Sequence, residues 1–143
     1  MASAKLYQSY QHEQQVIKKN IGNFRVTSIN RGASLEINNI NDKKKRIYVW
    51  ATWCPPCTVQ NKIIKFYEEL GIYNKNDLVK ISIDKNERKL RKYLQQNNMR
   101  ENSYIHKENQ FFGKKIIKGT PSIIYISEKG EIQDIKTGIS FFF

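Results

Sequence analysis

Residues 47–57 read Ile-Tyr-Val-Trp-Ala-Thr-Trp-Cys-Pro-Pro-Cys, and they contain the only two cysteines of the 143-residue chain. The first five residues form an apolar run that predicts a buried strand. Cys54 and Cys57 follow this run at the spacing Cys-x-x-Cys, and a helical pattern begins directly behind them. A Cys-x-x-Cys pair between a strand and a helix is typical of a dithiol that opens and closes as a disulfide.

The two cysteines are expected to have different roles. Cys54 stands at the start of the predicted helix, where backbone N–H groups and the positive end of the helix dipole stabilise an anion. Because only a thiolate attacks a disulfide, we assign Cys54 as the nucleophile. Cys57 lies one turn further on, and we assign it as the resolving thiol. Pro55 and Pro56 restrict the loop, since proline fixes φ and is tolerated in a first helical turn.

A structural disulfide, a zinc site and a haem attachment site each fit the cysteine pair less well than a redox pair does. A structural disulfide between residues this close would close a very short loop and gain little stability. A structural zinc site needs two further ligands, and the remaining candidates, His12 and His106, are far apart in the sequence and expected at the surface or in loops. Covalent haem attachment needs a histidine where Thr58 stands. We therefore favour a reversible redox pair that needs no metal and no organic cofactor.

The composition predicts one globular domain with a strong positive charge. Apolar residues make up 39% of the chain and the net charge is +12. The basic residues are dispersed, and their one tight run, at residues 43–46, precedes a predicted strand as a solvated turn would. We therefore expect no nucleic-acid binding, and we regard electrostatic steering toward acidic surfaces as the better interpretation of the charge.

The sequence shows no targeting segment. No apolar run approaches the roughly 18 residues that a membrane span needs. Polar residues from Gln8 to His12 follow the first methionine closely, unlike a secretory signal. We therefore expect either a cytoplasmic protein or an exported one whose signal or membrane tether is absent from this chain.

The remaining pattern alternates strands and helices. Residues 6–20 carry a weak amphipathic pattern, so we expect a helical extension over residues 1–22 and one domain over residues 23–143. Residues 24–37 predict a β-hairpin. Further strands are predicted near 78–83, 104–106, 123–126 and 131–136, and helices near 55–70, 87–97 and 109–114. This order predicts an α/β fold with a central mixed sheet and helices on both faces.

On these motifs the chain resembles the thioredoxin superfamily, and within it the TlpA-like and ResA-like extracytoplasmic thiol-disulfide oxidoreductases. The resemblance covers roughly residues 24–138 and implies a thioredoxin-like fold with an N-terminal β-hairpin extension. The similar segments are the active-site segment at 50–57, the leading hairpin at 24–40, the second core strand at 80–84 and the cis-proline loop at 119–122.

The resemblance implies thiol-disulfide exchange with cysteines of protein substrates, through an exposed Cys54 and a buried Cys57. The backbone of Thr120, before a cis Pro121, is expected to pair with an extended substrate chain. The expected substrate contacts are Pro55, Pro56, Thr120 and Pro121. Trp53 is expected either to contact the substrate or to cover the loop as a structural lid.

Members of this branch are typically secreted or membrane-tethered, and many act as reductants, for example on apocytochrome c cysteines during cytochrome c maturation. The resemblance therefore implies an extracytoplasmic reductant with a redox partner protein. Two alternatives stay open: an oxidant that forms disulfides, and a non-catalytic binding module whose dithiol senses redox state.

The chain departs from the family pattern around the second cysteine. Tyr48 stands where thioredoxins carry a buried acid, and Gln60 stands where TlpA-like and ResA-like proteins often carry glutamate. Because both usual proton acceptors are absent, we expect slow deprotonation of Cys57. Lys80 matches the lysine that neighbours the buried acid in thioredoxins. Lys62 replaces a frequent proline, and no last helix is expected after Gly138.

Overall fold

A computed structural model describes residues 17, 19–22, 25–37, 45–73 and 77–143. This part of the chain forms seven strands and three helices in one α/β fold. The strands are β1 Arg25–Ser28, β2 Ser34–Glu36, β3 Lys45–Trp50, β4 Leu78–Ser82, β5 Ser103–Ile105, β6 Ser122–Ile126 and β7 Ile132–Thr137. The helices are α1 Pro55–Glu69, α2 Glu87–Gln96 and α3 Gln110–Gly113. The predicted fold class and the β1–β2 hairpin are confirmed.

Two expectations concern residues that lie largely outside this described part. The amphipathic pattern at residues 6–20 falls mostly there, so the predicted helical extension has no structural counterpart to compare. The division into residues 1–22 and 23–143 accordingly stays a prediction.

The strands form one mixed sheet in the order β2-β1-β5-β4-β3-β6-β7. Strands β3, β4 and β5 run parallel, and the remaining neighbours pair antiparallel. Every residue of β4 is buried, as expected for a parallel strand covered on both faces. Because parallel strands end at the same side of a sheet, β3 and β4 carry their following loops to one place. We call this side, where β6 also begins, the disulfide end.

The core lies between the sheet and its helices. Its largest fully buried side chains include Trp50 and Tyr48 of β3, and Phe111 of α3. Within the described residues, no helix combines the length and apolarity needed to cross a membrane. The segment 138–143 after β7 contains no helix, and its last residue, Phe143, packs on Tyr67 and Tyr73.

Candidate active site

The two cysteines form a disulfide where the loop after β3 enters α1. Cys54 is the N-cap residue of the helix, with extended backbone angles, and Pro55 and Pro56 occupy the first two helical positions. Since proline has no N–H group, the first available donor of the helix is the amide of Cys57. That amide lies 3.3 Å from Cys54 Sγ and donates to it. The sequence thus directs one N–H group of the helix terminus at the sulfur that is expected to attack.

The two cysteines differ less in exposure than the resemblance implies. Cys57 is fully buried and Cys54 is only 4% exposed, so the expectation of an exposed Cys54 is wrong for this structure. The side chain that protrudes is its neighbour Trp53, which is 65% exposed. Pro55 and Pro56 are also exposed. The surface around Cys54 is therefore aromatic and proline-rich, and the sulfur lies just below it.

The loop before β6 lies against the disulfide. The Thr120–Pro121 peptide bond is cis, and the carbonyl oxygen of Thr120 lies 3.5 Å from Cys54 Sγ. Pro121 is buried, whereas Thr120 is half-buried. In the reduced protein a Cys54 thiol could donate a hydrogen bond to this carbonyl group. The structure thus brings together two segments that are 66 residues apart in the sequence.

A buried carboxylate that the sequence analysis missed holds the loop before Cys54. Asp84 follows β4 and is 3% exposed. Its carboxylate accepts hydrogen bonds from the Thr52 amide at 3.0 Å and the Thr52 hydroxyl at 2.6 Å, and a third from the Ser82 hydroxyl. This cluster fixes the residue that stands two positions before Cys54. The sequence offered one signal for Asp84, namely an acidic residue directly after a buried strand. Its contact with Thr52 could not be predicted, because it depends on the parallel pairing of β3 and β4.

Tyr48 occupies a buried polar network behind Cys57. Its hydroxyl donates to Asn61 Oδ1 at 2.7 Å and lies 3.4 Å from the carbonyl oxygen of Cys57. Asn61 in turn donates to the Tyr93 hydroxyl at 3.0 Å. Burial, followed by the proximity of Tyr93, raises the pKa of Tyr48 far above its ordinary value. Tyr48 therefore stays a neutral hydroxyl.

Gln60 has a structural partner in the last segment of the chain. It is fully buried, its amide group donates to the Ser140 carbonyl oxygen at 2.9 Å, and its Oε1 accepts from the Ser140 amide at 2.6 Å. These two bonds fasten the segment after β7 to α1, one turn beyond Cys57. A glutamine suits both bonds because its amide both donates and accepts.

Lys80 also has a partner. Its ammonium group is buried and lies 2.9 Å from Glu68 Oε1. Glu68 stands eleven residues after Cys57 in α1, about 16 Å along a helix axis. This carboxylate balances the charge of Lys80, but it is remote from the disulfide.

His106 lies in the loop after β5, in agreement with the expectation of a surface or loop residue, but it is buried. One ring nitrogen, Nδ1, lies 2.7 Å from the Arg25 carbonyl oxygen, and the other, Nε2, accepts from the Gln110 amide at 3.0 Å. His12 lies outside the described residues. Within the described part, no group of three histidine, cysteine or acidic side chains is arranged to hold a metal ion.

Comparison with known proteins agrees with this geometry. Nucleoredoxin of Homo sapiens is 24% identical over 110 residues, which are 72% of this chain and 25% of nucleoredoxin. The thiol-disulfide oxidoreductase ResA of Halalkalibacterium halodurans is 24% identical over 111 residues, 75% of this chain and 61% of ResA. The chain thus spans a quarter of the one relative and about three fifths of the other.

Solved structures show the same fold. The crystal structure of StoA from Bacillus subtilis matches with a TM-score of 0.65 at 18% identity, over 83% of this chain and 90% of StoA. The predicted resemblance to ResA-like proteins is therefore confirmed. A family model described as Thioredoxin-like matches residues 42–132. Because this match covers more than half of the chain and includes both cysteines, the chain belongs to the thioredoxin-like family.

Proposed function

We propose that the protein is a thiol-disulfide oxidoreductase that acts on cysteines of other proteins. One observation carries the proposal: the Cys54–Cys57 disulfide lies at the N-terminus of α1, against the Thr120 carbonyl group. A redox pair needs one sulfur that is stabilised as a thiolate and a second sulfur within reach of it. The helix terminus supplies the first condition and the spacing supplies the second.

In the reducing direction the exchange takes two steps. The Cys54 thiolate attacks one sulfur of a substrate disulfide, so that a mixed disulfide forms and one substrate thiolate leaves and takes up a proton. Cys57 then loses its proton and attacks Cys54 Sγ, which closes the Cys54–Cys57 disulfide and releases the second substrate thiol. Two electrons pass from the protein to the substrate, and a dithiol partner protein must return them.

Substrate binding follows from the surface around Cys54. Trp53, Pro55 and Pro56 offer an exposed apolar surface beside the sulfur. The backbone at Thr120 and Pro121 offers an edge against which an extended substrate chain can pair. Tyr48, Gln60 and Lys80 contribute indirectly, by holding α1 and the sheet beneath it.

The direction of transfer is best assigned as reduction, by similarity to the ResA-like branch. The opposite direction has one structural argument in its favour. The hydrogen bond from the Cys57 amide to Cys54 Sγ favours the thiolate, and stabilising the reduced form makes a dithiol more oxidising. Equilibration with glutathione measures the potential, and thioredoxin-fold proteins span about −270 to −120 mV. A value near the upper limit would reverse the assignment.

Reduction of insulin disulfides tests the activity itself. We expect the wild-type protein to accelerate insulin reduction by dithiothreitol, and Cys54→Ser to abolish the effect while leaving the fold intact. Cys57→Ser should trap the mixed disulfide with a substrate, because the resolving sulfur is missing. A folded wild-type protein with two free thiols and no turnover would identify a non-catalytic redox-sensing module instead.

An extracytoplasmic location is proposed on the resemblance to the ResA-like branch. Fractionation of the native host, with thiol labelling by a reagent that does not cross membranes, tests this assignment. Labelling only after lysis would place the protein in the cytoplasm.

A further inference from the structure

We propose that the preferred substrate is a polypeptide with acidic side chains next to its reactive cysteines, and that Lys85 and Lys118 recognise them. This inference rests on the proposed oxidoreductase function and specifies its substrate class. It follows from the position of two exposed lysines relative to the disulfide and from the excess of cations over acids in the loops at the disulfide end.

Lys85 is placed by the carboxylate before it. Asp84 binds the Thr52 amide at 3.0 Å, so the backbone at residue 84 is tied to the loop that leads into Cys54. Lys85 is the next residue and is exposed. Its ammonium group can therefore reach a chain that lies over the disulfide from this side.

Lys118 approaches from the opposite loop. It stands two residues before Thr120, whose carbonyl oxygen lies 3.5 Å from Cys54 Sγ. Two residues span at most about 7 Å, and Lys118 is exposed. A substrate that pairs with the backbone at Thr120 consequently runs close to this side chain. The two lysines thus stand on two sides of one sulfur.

The loops at the disulfide end carry an excess of cations. Residues 51–59 contain no charged side chain. Residues 84–88 and 106–120 together contain three carboxylates and, apart from Lys114, whose ammonium group lies beside Gly22, five lysines or arginines. Two of the three carboxylates are engaged: Asp84 is buried in its hydrogen bonds to Thr52 and Ser82, and Glu87 binds Arg91 and Lys107. Glu108 is exposed and lies 3.3 Å from the ring of His106.

Most of the other described acidic residues lie far from the disulfide. Glu36 ends β2, four strand spacings from β3, or about 19 Å. Several others cluster toward the opposite end of the sheet, near the end of α1, before β4 and β5, and in the turn between β6 and β7. They are Glu68, Glu69, Asp77, Glu101, Glu128 and Glu131. The opposite end also carries cations, among them Arg46 at the start of β3, Arg100 before β5 and Lys129 in the turn before β7. The loops at the disulfide end have more cations than acids, so an acidic segment is attracted to them.

Two peptide disulfides of identical length provide the test, one with glutamates and the other with lysines flanking the same cysteine pair. The reduced protein is assayed for kcat/KM on each peptide at low ionic strength and at high salt, where the screening length falls to about 3 Å. We expect the acidic peptide to be preferred about tenfold at low salt, since steering raises association rates by such factors. The preference should fall below about twofold in high salt because the charges are then screened.

Charge-reversal variants locate the effect. The variant K85E/K118E should lose or reverse the preference. The matched control K92E/K129E makes the same change in net charge at exposed residues away from the disulfide, and it should keep the preference. Circular dichroism checks that both variants fold. If K85E/K118E does not fold, the salt dependence of the wild-type protein tests the preference for the acidic peptide instead. Equal loss in both variants, or equal kcat/KM for the two peptides with the wild-type protein at low salt, would overturn the inference.

A neutral disulfide separates the exchange chemistry from the charge preference. Reduction of 2-hydroxyethyl disulfide by the wild-type protein reports the exchange step without any charge on the substrate. Turnover of this compound with no preference between the peptides contradicts only the role of Lys85 and Lys118. No turnover of any of the three disulfides contradicts the proposed function, and with it this inference.

Discussion

The Tyr48 hydroxyl donates a 2.7 Å hydrogen bond to Asn61 Oδ1, one helical turn beyond Cys57. Asn61 in turn donates a hydrogen bond to the Tyr93 hydroxyl. Burial and the neighbouring Tyr93 raise the pKa of Tyr48, so the Tyr48 hydroxyl is uncharged near neutral pH. Where the resemblance to thioredoxins implies a buried acid, this protein has a neutral tyrosine in a hydrogen-bonded network.

The first prediction concerns the proton on Cys57. Positions 48 and 60 carry no carboxylate, and Tyr48 is held neutral, so the usual acceptors of this proton are missing. In Cys54→Ser we expect Cys57 to titrate at or above the ordinary thiol value of about 8.5, because burial disfavours the thiolate. The pH dependence of alkylation by iodoacetamide measures this pKa. A midpoint at or below about 7 would show that some group does stabilise the thiolate.

Tyr48→Phe in the same Cys54→Ser background is the control. It removes the hydroxyl group and keeps the aromatic ring. A neutral hydroxyl does not act as a base. The pH midpoint of Cys57 alkylation should therefore move by less than about half a pH unit. A fall of one unit or more would mean that Tyr48 holds the thiol in its protonated form.

The second prediction concerns Asp84 as a positioning residue. Replacing it with alanine leaves the Thr52 amide and the Ser82 hydroxyl without their shared acceptor. Losing hydrogen bonds to a buried charged group costs about 2–3 kcal/mol, and the loop before Cys54 should loosen. We expect lower stability in urea and a slower first exchange step with a small neutral disulfide.

Glu128→Ala serves as the matched control for Asp84→Ala, because Glu128 is an exposed acid in the turn before β7. It should change the unfolding free energy by less than about 0.5 kcal/mol. The exchange rate should equal that of the wild-type protein. If Asp84→Ala loses stability but keeps the wild-type exchange rate, then the loop geometry is not set by Asp84.

Much of the fold could be predicted from local pattern. The apolar run before Cys54, the hairpin and the order of later strands and helices each follow from residues close together in sequence. The position of the cysteines at a helix start follows in the same way. These are the features that depend on periodicity and on proline and glycine chemistry rather than on tertiary contacts.

The features that were missed or wrong depend on contacts between segments that are distant in the sequence. Asp84 reaches Thr52 only because β3 and β4 are parallel neighbours. His106 is buried because β1 and β5 pair and bring the Arg25 carbonyl group to its ring. The burial of Cys54 follows from the loop at Thr120, which stands 66 residues away. A single sequence carries no direct signal for such contacts.

The third prediction concerns Gln60. Gln60→Ala removes two hydrogen bonds to Ser140 and should cost about 1–3 kcal/mol. Gln60→Glu keeps an acceptor for the Ser140 amide but sets a carboxylate oxygen against the Ser140 carbonyl group. Burial and this repulsion raise the pKa of the introduced carboxyl group above its unfolded value of about 4.3. A group with a raised folded pKa stabilises the protein below its unfolded pKa and loses that contribution as pH rises.

Gln60→Glu should therefore approach the wild-type stability near pH 4 and fall behind it by pH 7. Urea denaturation at both pH values, with the wild-type protein measured in parallel, gives the difference. Equal destabilisation at the two pH values would mean that the introduced carboxyl group points to solvent and that the segment after β7 is not held by this position.

The last prediction compares two neighbouring phenylalanines at the end of the chain. Phe143 packs on Tyr67 with ring centroids 5.6 Å apart and against the edge of Tyr73 at 5.4 Å. The side chain of Phe142 is 84% exposed, and the hydrogen bonds that Lys136 and Ser140 donate to this residue go to its backbone carbonyl group. Phe143→Ala should thus cost about 1–3 kcal/mol in urea denaturation, from lost apolar burial and ring contacts. Phe142→Ala should change stability by less than about 0.5 kcal/mol, since alanine keeps the same carbonyl group. Equal effects of the two substitutions would mean that the end of the chain does not pack on α1 in solution.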